Sequence, residues 1–432
     1  MQPENLLDLV KKQGIKNAEV YQVESYSRPI CFSANRLKQI ESSQVSGVAL
    51  RLWRDNKPGL ALAYGEFDAN DLIAKALAIS DLNDPEEIFL NDANNLIYSN
   101  YDGSSERFID QDKKIIKEGE DAIASILDLY PEAIVNLDVE WERETTTLIN
   151  TQGLYCQQKD ISQSASLGLE LVREEDFLGI YDGEYSHGHI NLTRIIESVL
   201  RRLEWAEKNV AIKTGKIPVL FTPNAVVTLW DTVTEALNGK YILDKSSPWS
   251  ESLGKTVISP CLTLKQQPDL KPYDCPFDDE GSMTQNLTLI EAGVLKSFYT
   301  DKKTASKLGI NNTGNGFRGG LGAYPSPDLV NLVISEGNKS FPEIVKDMNY
   351  GIIVDQILGG GADISGDFSF NIDLGYLVDN GEIQGRIKDT MLAGNVYQCL
   401  QEVSAIASDI VWSGACYTPS IVIDNLSVVS DS

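Results

Sequence analysis

Two stretches of this chain, 119 positions apart, carry the same alternating pattern: Val48-Ala-Leu-Arg-Leu-Trp-Arg54 lies over Leu167-Gly-Leu-Glu-Leu-Val-Arg173. A period of two marks a strand with one face against a core. The same order of signals surrounds each stretch. In the first, residues 5–12 read as a helix with Leu6, Leu9 and Val10 on one face, and Gly14 stops it. Alternation follows over residues 18–64, with a turn at 55–59, and Asp68 is placed to cap a helix over 69–79. In the second, a helix over 112–130 leads to a strand over 134–148 and a turn at 151–153. A further strand through Leu167, a turn at 174–176 and a closing helix over 192–209 complete it. Helix, antiparallel strands, helix, twice over, predicts two halves of one α+β lobe. Two independent meanders converging on one pattern would give the same overlay.

The expected fold class is therefore α+β, with residues 1–90 as the first unit and 110–212 as the second. The polar stretch 80–111 is expected to connect them. Residues 213–432 read as a β-rich C-terminal domain with embedded helices. It opens with a strand over 217–221, and Thr222-Pro223 starts a helix that stops at Asn238-Gly239. Hairpins are expected around Glu291-Ala-Gly293 and Asn380-Gly381, and Gly359-Gly-Gly361 with Gly366 marks a tight loop.

Composition removes several function classes. The formal net charge is −26, so phosphate backbones and anionic lipid are repelled and direct DNA binding is a poor fit. The two histidines, His187 and His189, cannot build a His-rich metal site alone. None of the six cysteines forms Cys-x-x-Cys, which leaves a thiolate zinc site or thioredoxin-like motif without support. No signal core opens the chain and no run approaches the roughly 18 to 20 apolar residues of a membrane span. The expectation is a soluble cytoplasmic protein.

Four constellations bear on chemistry. Gly314-Asn-Gly316-Phe-Arg-Gly319 fits G-x-G-x-x-G but does not open a helix, so close backbone approach is a better reading than a dinucleotide site. His187-Gly-His189 has a spacing zinc can use, but reads more simply as surface histidines. Asp278-Asp-Glu280 reads as a solvated acidic face, or as a cation site if Asp363 or Asp367 adds oxygens. Asp231 and Glu235 share a helix face, as a polar stripe or as a pair that positions a water.

Further stretches belong together: Phe277-Asp-Asp-Glu-Gly281, Leu289-Ile-Glu-Ala-Gly-Val-Leu-Lys296, Thr313-Gly-Asn-Gly316 and Gly359-Gly-Gly-Ala-Asp-Ile-Ser-Gly-Asp-Phe-Ser369. Tyr376-Leu-Val-Asp-Asn-Gly-Glu382, Ala393-Gly-Asn395 and Ile423-Asp-Asn-Leu-Ser427 complete the set. With them the chain resembles the TldD/PmbA family of zinc peptidases, also described as modulators of DNA gyrase. In the TldD branch, His-Glu-x-x-x-His on the helix after the first C-terminal-domain strand supplies two zinc ligands and a general base. A cysteine near the C-terminus is a further ligand. The resemblance puts Trp230 at the first histidine, Asp231 at the glutamate and Glu235 at the second histidine, with Cys416 as a vestigial ligand. Indole N–H is a donor only, so the metal machinery is missing. That departure resembles the PmbA/TldE branch. It implies a chain without catalytic groups or cofactor that pairs with a zinc-bearing TldD-like paralogue around an enclosed chamber for unfolded peptides. A homodimer that binds peptides or a regulator, and a metal-free hydrolase using Cys416 or Asp231 and Glu235, are the other readings. Asp279, Glu280, Gly314, Gly316, Arg318, Gly360 and Asp363 are the candidates for peptide binding or loop structure.

Overall fold

A computed structural model describes residues 2–100, 111–173, 176–359 and 361–430. The lobe begins with α1 (Pro3–Lys12), β1 (Asn17–Ser33), β2 (Arg36–Ile40), β3 (Ser43–Arg54), β4 (Lys57–Tyr64) and α2 (Ala69–Leu82). Asp68 caps α2 by accepting the N–H groups of Asn70 and Asp71 at 2.7 and 3.2 Å. β5 (Asn94–Ser99) follows, then α3 (Asp112–Leu129), β6 (Ile134–Asn150), β7 (Leu154–Arg173), β8 (Asp176–Ser186) and α4 (Leu192–Trp205). The predicted end of α4 at residue 209 is corrected, because after Trp205 the chain turns and the Val210 N–H donates to the Arg386 carbonyl. The turn predicted at 174–176 joins β7 to β8, and its Glu174 and Glu175 lie outside the described residues.

One sheet contains both units, with β1 and β6 antiparallel at its centre and β3–β4 and β7–β8 on either side. The two outer hairpins have the same register: Arg54 faces Lys57 and Arg173 faces Asp176, counterparts 119 positions apart (173 − 54 = 176 − 57 = 119). The sequence overlay is thus an overlay of paired strands. β5 departs from it. It pairs parallel with β7, Asn94 beside Leu154, so the expected connector contributes a strand.

Even positions of β1 and odd positions of β6 face the helices. Ala18, Val20 and Ile149 pack with α1 and α2, and Ile30, Phe32, Val135, Leu137 and Trp141 pack with α3 and α4. Burial recurs along α4 at Ile195, Val199 and Leu203, the four-residue interval of one helical face.

The C-terminal domain opens with β9 (Gly215–Phe221) and α5 (Pro223–Leu237). Strand β9 lies between Tyr350–Leu358 and Ile421–Ser430, and the circuit through Thr390–Asn395 and Asp367–Asp379 returns to Tyr350–Leu358, closing a five-stranded barrel. α5 leaves the end of β9 and packs Val226, Leu229, Trp230 and Val233 into the domain core. The predicted stop at Asn238-Gly239 separates two helices, since Asn238 accepts the Lys240 N–H at 2.9 Å and caps α6 (Gly239–Leu243). A second sheet carries Leu332–Ile334 parallel to Cys416–Thr418. The domain meets the lobe twice: through α3 and α4, whose core includes Leu220, Ile353 and Tyr376, and through the strand face that α1 and α2 leave bare. Among the described residues no helix is long and apolar enough to cross a membrane.

Candidate functional site

Helix α5 brings the degenerate motif against the strand Cys416–Thr418. Trp230 is 1% exposed, and its indole N–H donates to the Thr418 hydroxyl at 3.0 Å, two residues from Cys416. Cys416 is buried, and burial, with the nearby Asp231 charge adding to it, pushes its thiol far above the ordinary range. A protonated thiol beside a carboxylate is a poor nucleophile and a poor zinc ligand. Asp231 is exposed, and its partial desolvation raises its pKa. Glu235 is raised as well, by desolvation first and then by the charges of Asp363 and Asp231. Asp363 sits on the glycine loop. Its carboxylate accepts the Ser365 N–H at 2.8 Å, and hydrogen bonding from the Ser365 side chain and then from this N–H lowers its pKa. That loop lies against α5, where the Thr232 hydroxyl donates to the Ala362 carbonyl at 3.2 Å, and against Tyr397, whose hydroxyl donates to the Ile364 carbonyl at 2.9 Å. Trp230, Asp231, Glu235, Asp363 and Cys416 therefore share one neighbourhood; Gly360 lies outside the described residues.

These side chains do not fit a zinc ion. An indole N–H fills the place the resemblance gives to the first histidine, and the remaining groups are carboxyls with raised or exposed positions and a protonated thiol. Among the described residues no group of three or more His, Cys, Asp or Glu is placed to hold a metal.

The second set of candidates forms a buried knot between lobe and C-terminal domain. The reading of Asp278-Asp-Glu280 as a solvated face is corrected, because Asp278 and Glu280 are buried. The chain turns here, so the acids do not alternate along a strand. Asp278 accepts N–H groups of Glu280, Ser282 and Gly316 at 3.0, 2.7 and 2.8 Å, leaving it committed to backbone rather than to a cation. Even so, burial outweighs these bonds and raises Asp278 to about 7. Burial and then Asp278 raise Glu280 to about 8. Asp279 accepts the Arg318 N–H at 2.8 Å and the Tyr21 hydroxyl at 3.2 Å, which ties β1 to the domain. Gly314 and Gly316 serve close approach within the chain. A Cβ at Gly314 would strike the Met283 carbonyl, and one at Gly316 would strike the Glu280 carboxylate.

Arg318 completes the knot with two residues the sequence did not single out. Its guanidinium pairs with Glu19 of β1, which also pairs with Arg51 of β3 at 2.9 Å. Burial alone would raise Glu19, but the two arginines hold it below the ordinary carboxylate range. The available signal was the placement of Glu19 and Arg51 within strands otherwise rich in apolar residues. The histidines are corrected too. His187 is mostly buried, with its ring nitrogens 3.4 Å from Asp160 and from Asp274, and His189 lies 3.3 Å from Glu118. His187 thus sits between Asp160 of the lobe and Asp274 of the C-terminal domain, and His189 beside Glu118 of the lobe.

The sequence profile of the PmbA/TldA metallopeptidase C-terminal domain matches residues 214–430, and that of PmbA/TldA metallopeptidase domain 1 matches 18–80. The chain belongs to the PmbA/TldD metallopeptidase family. The Buchnera aphidicola relative named metalloprotease TldD homologue is 33% identical over 43% of this chain and 39% of its own length. The Escherichia coli O157:H7 metalloprotease PmbA is 28% identical over 50% of this chain and 46% of its own. This chain thus aligns with less than half the length of each of these two relatives. The crystal structure of TldE from Thermococcus kodakarensis superposes with a TM-score of 0.90, covers 99% of both chains and is 22% identical, a likeness of fold.

Proposed function

We propose that this chain is a non-catalytic subunit, of the PmbA/TldE kind, in a metallopeptidase that processes unfolded peptides. Zinc would sit in a TldD-like partner, and this chain would form part of an enclosed chamber that admits extended peptides. The observation that carries the reading is the Trp230 indole, buried and hydrogen-bonded to Thr418 where the resemblance expects a metal ligand. The metal-free hydrolase fits poorly, because Cys416 holds its proton and the two histidines face other carboxylates, His187 those of Asp160 and Asp274 and His189 that of Glu118.

The test is peptidase activity on a denatured polypeptide, with zinc content measured on the same samples. This chain alone, a paralogue bearing His-Glu-x-x-x-His alone, and the two co-expressed are compared. Activity only in the co-expressed sample, with zinc following the paralogue, is expected. Cleavage by this chain alone, with one zinc per chain, would overturn the proposal. A stable homodimer that ignores the paralogue would favour the peptide- or regulator-binding reading instead.

A further inference from the structure

A cavity of about 300 Å³ lies where the lobe meets the C-terminal domain, remote in sequence from the α5 motif. Three ionisable side chains that line it, Arg51, Glu280 and Asp301, belong to residues more than nine-tenths buried. The Arg51 guanidinium lies 4.8 Å from the Trp53 ring centre and 5.8 Å from that of Tyr324, which give the cavity aromatic walls. Buried charged groups facing a small cavity are costly to keep and make the cavity a binding-site candidate.

The partners already made define what is left over. Arg51 gives one N–H to Glu19, while its buried Nε has no hydrogen-bond partner among the described residues. Lys303 at the cavity edge is neutralised by Glu86 at 2.7 Å. Glu280 accepts the Lys302 N–H through Oε2, and Asp301 accepts the Thr304 N–H through Oδ1, so each carboxyl keeps a second oxygen. Asp84 and Glu87 add exposed carboxylates at the rim. The cavity therefore offers carboxyl oxygens for a cation and, a short distance away, a guanidinium for an oxygen. Aromatic walls and the absence of a metal-holding cluster among the described residues turn it from a bare ion towards an organic ammonium.

We infer that this cavity binds an α-aminoacyl group, its ammonium on Glu280 and Asp301 and its neighbouring carbonyl or carboxylate oxygen on Arg51. The group occurs in free amino acids and at the amino end of peptides. The inference does not depend on the subunit reading, because it concerns binding by this chain alone.

The test is calorimetric titration of the full chain with Ala-Ala, Ala-Ala-amide, N-acetyl-Ala-Ala and free alanine. Ala-Ala is expected to bind at least tenfold more tightly than its acetylated form. Equal binding of Ala-Ala and its amide assigns the site to peptide amino ends, and preference for free alanine assigns it to amino acids; both support the inference. Glu280→Gln keeps an acceptor for the Lys302 N–H and is expected to weaken Ala-Ala at least tenfold. Should it fail to fold, Tyr324→Ala at the half-open wall is the second variant, expected to weaken binding threefold or more. A proton readout separates binding in the cavity from binding elsewhere. Glu280 is faced by Asp278 on its own turn, by Asp301 and Lys302 at the head of the next helix, and by Arg51 from β3. A cation favours its ionised form, so binding at pH 7 should release protons, seen as a heat that differs between buffers. Equal affinity for the acetylated dipeptide, no binding of any free amine at 10 mM, or no proton release would each overturn the inference.

Discussion

In the first half of the lobe, the strand face turned away from the helices carries Glu19, Tyr21, Arg51 and Trp53, and the C-terminal domain covers it. In the second half, the matching end of the same face carries Ile134, Glu170 and Val172, and these side chains stay open to solvent, Glu170 in part. Val172 is 65% exposed and its cross-strand neighbour Phe177 is 53% exposed. The positions correspond one to one. Glu19 beside Arg51 matches Ile134 beside Glu170, and Trp53 beside Pro58 matches Val172 beside Phe177. One backbone plan therefore supports a buried ion triad in one half, and in the other an exposed apolar pair, Val172 with Phe177, beside a carboxylate without a buried partner, Glu170. What differs is the neighbour: where the C-terminal domain covers the face, the charges are desolvated and paired.

The comparison is broken most directly at its largest expected effect. Glu19→Ala leaves Arg51 and Arg318 buried without their shared carboxylate, a loss of about 3 to 5 kcal/mol. Glu170→Ala, at the position matching Arg51, should stay within about 0.5 kcal/mol. Urea denaturation of both variants checks the pair, and similar losses would mean that the two faces are covered alike. Trp53→Ala comes next, at about 3 kcal/mol for a large buried aromatic, with Val172→Ala again near zero.

Titration sharpens the contrast, because the covered half holds groups shifted in opposite directions. Glu19 is depressed, so its contribution is present above the ordinary value of 4.5 and is lost as pH falls through its lowered folded value. Asp278 and Glu280 are raised from 3.8 and 4.5 to about 7 and about 8, so their contribution is fully present below the ordinary values and is lost progressively as pH rises from there through about 7 and 8. Stability of the lobe–domain contact should therefore peak near pH 4 to 5, decline from there and level off above about pH 8. Glu280→Gln should flatten the alkaline side. Hydrogen exchange at Tyr21 and Arg318, followed from pH 6 to 9 with correction for intrinsic rate, checks it; unchanged protection would remove both carboxyls from the account.

Local pattern made the lobe legible. Period-two runs, caps such as Asp68 and the 119-residue overlay are properties of neighbouring residues, and the paired strands follow them. The C-terminal barrel was readable only as β-rich, because the pairings of β9 with Tyr350–Leu358 and Ile421–Ser430 join residues over a hundred positions apart. The loss of the metal motif showed at Trp230, yet its partner Thr418 did not, since nothing local links them. The acidic triplet misleads for a related reason. Three adjacent acids look solvated until the backbone N–H groups of Ser282 and Gly316 and the side chain of Tyr21 are brought to them by the fold.

The smallest effect tests the open half. Val172 and Phe177 face each other across β7 and β8, and an exposed cross-strand pair contributes roughly 0.2 to 1 kcal/mol. Val172→Ser and Phe177→Ser should each cost about 0.5 kcal/mol, and the double variant about their sum plus a small coupling. The measurement is a thermal midpoint taken at two protein concentrations a hundredfold apart. If the face is bare in solution, the midpoint of the parent chain does not move with concentration and the serine variants lie just below it. A loss of 2 kcal/mol or more in the variants, with a parent midpoint that rises with concentration, would show a second copy on this face. The two halves would then differ in which chain covers them, and burial would be common to both.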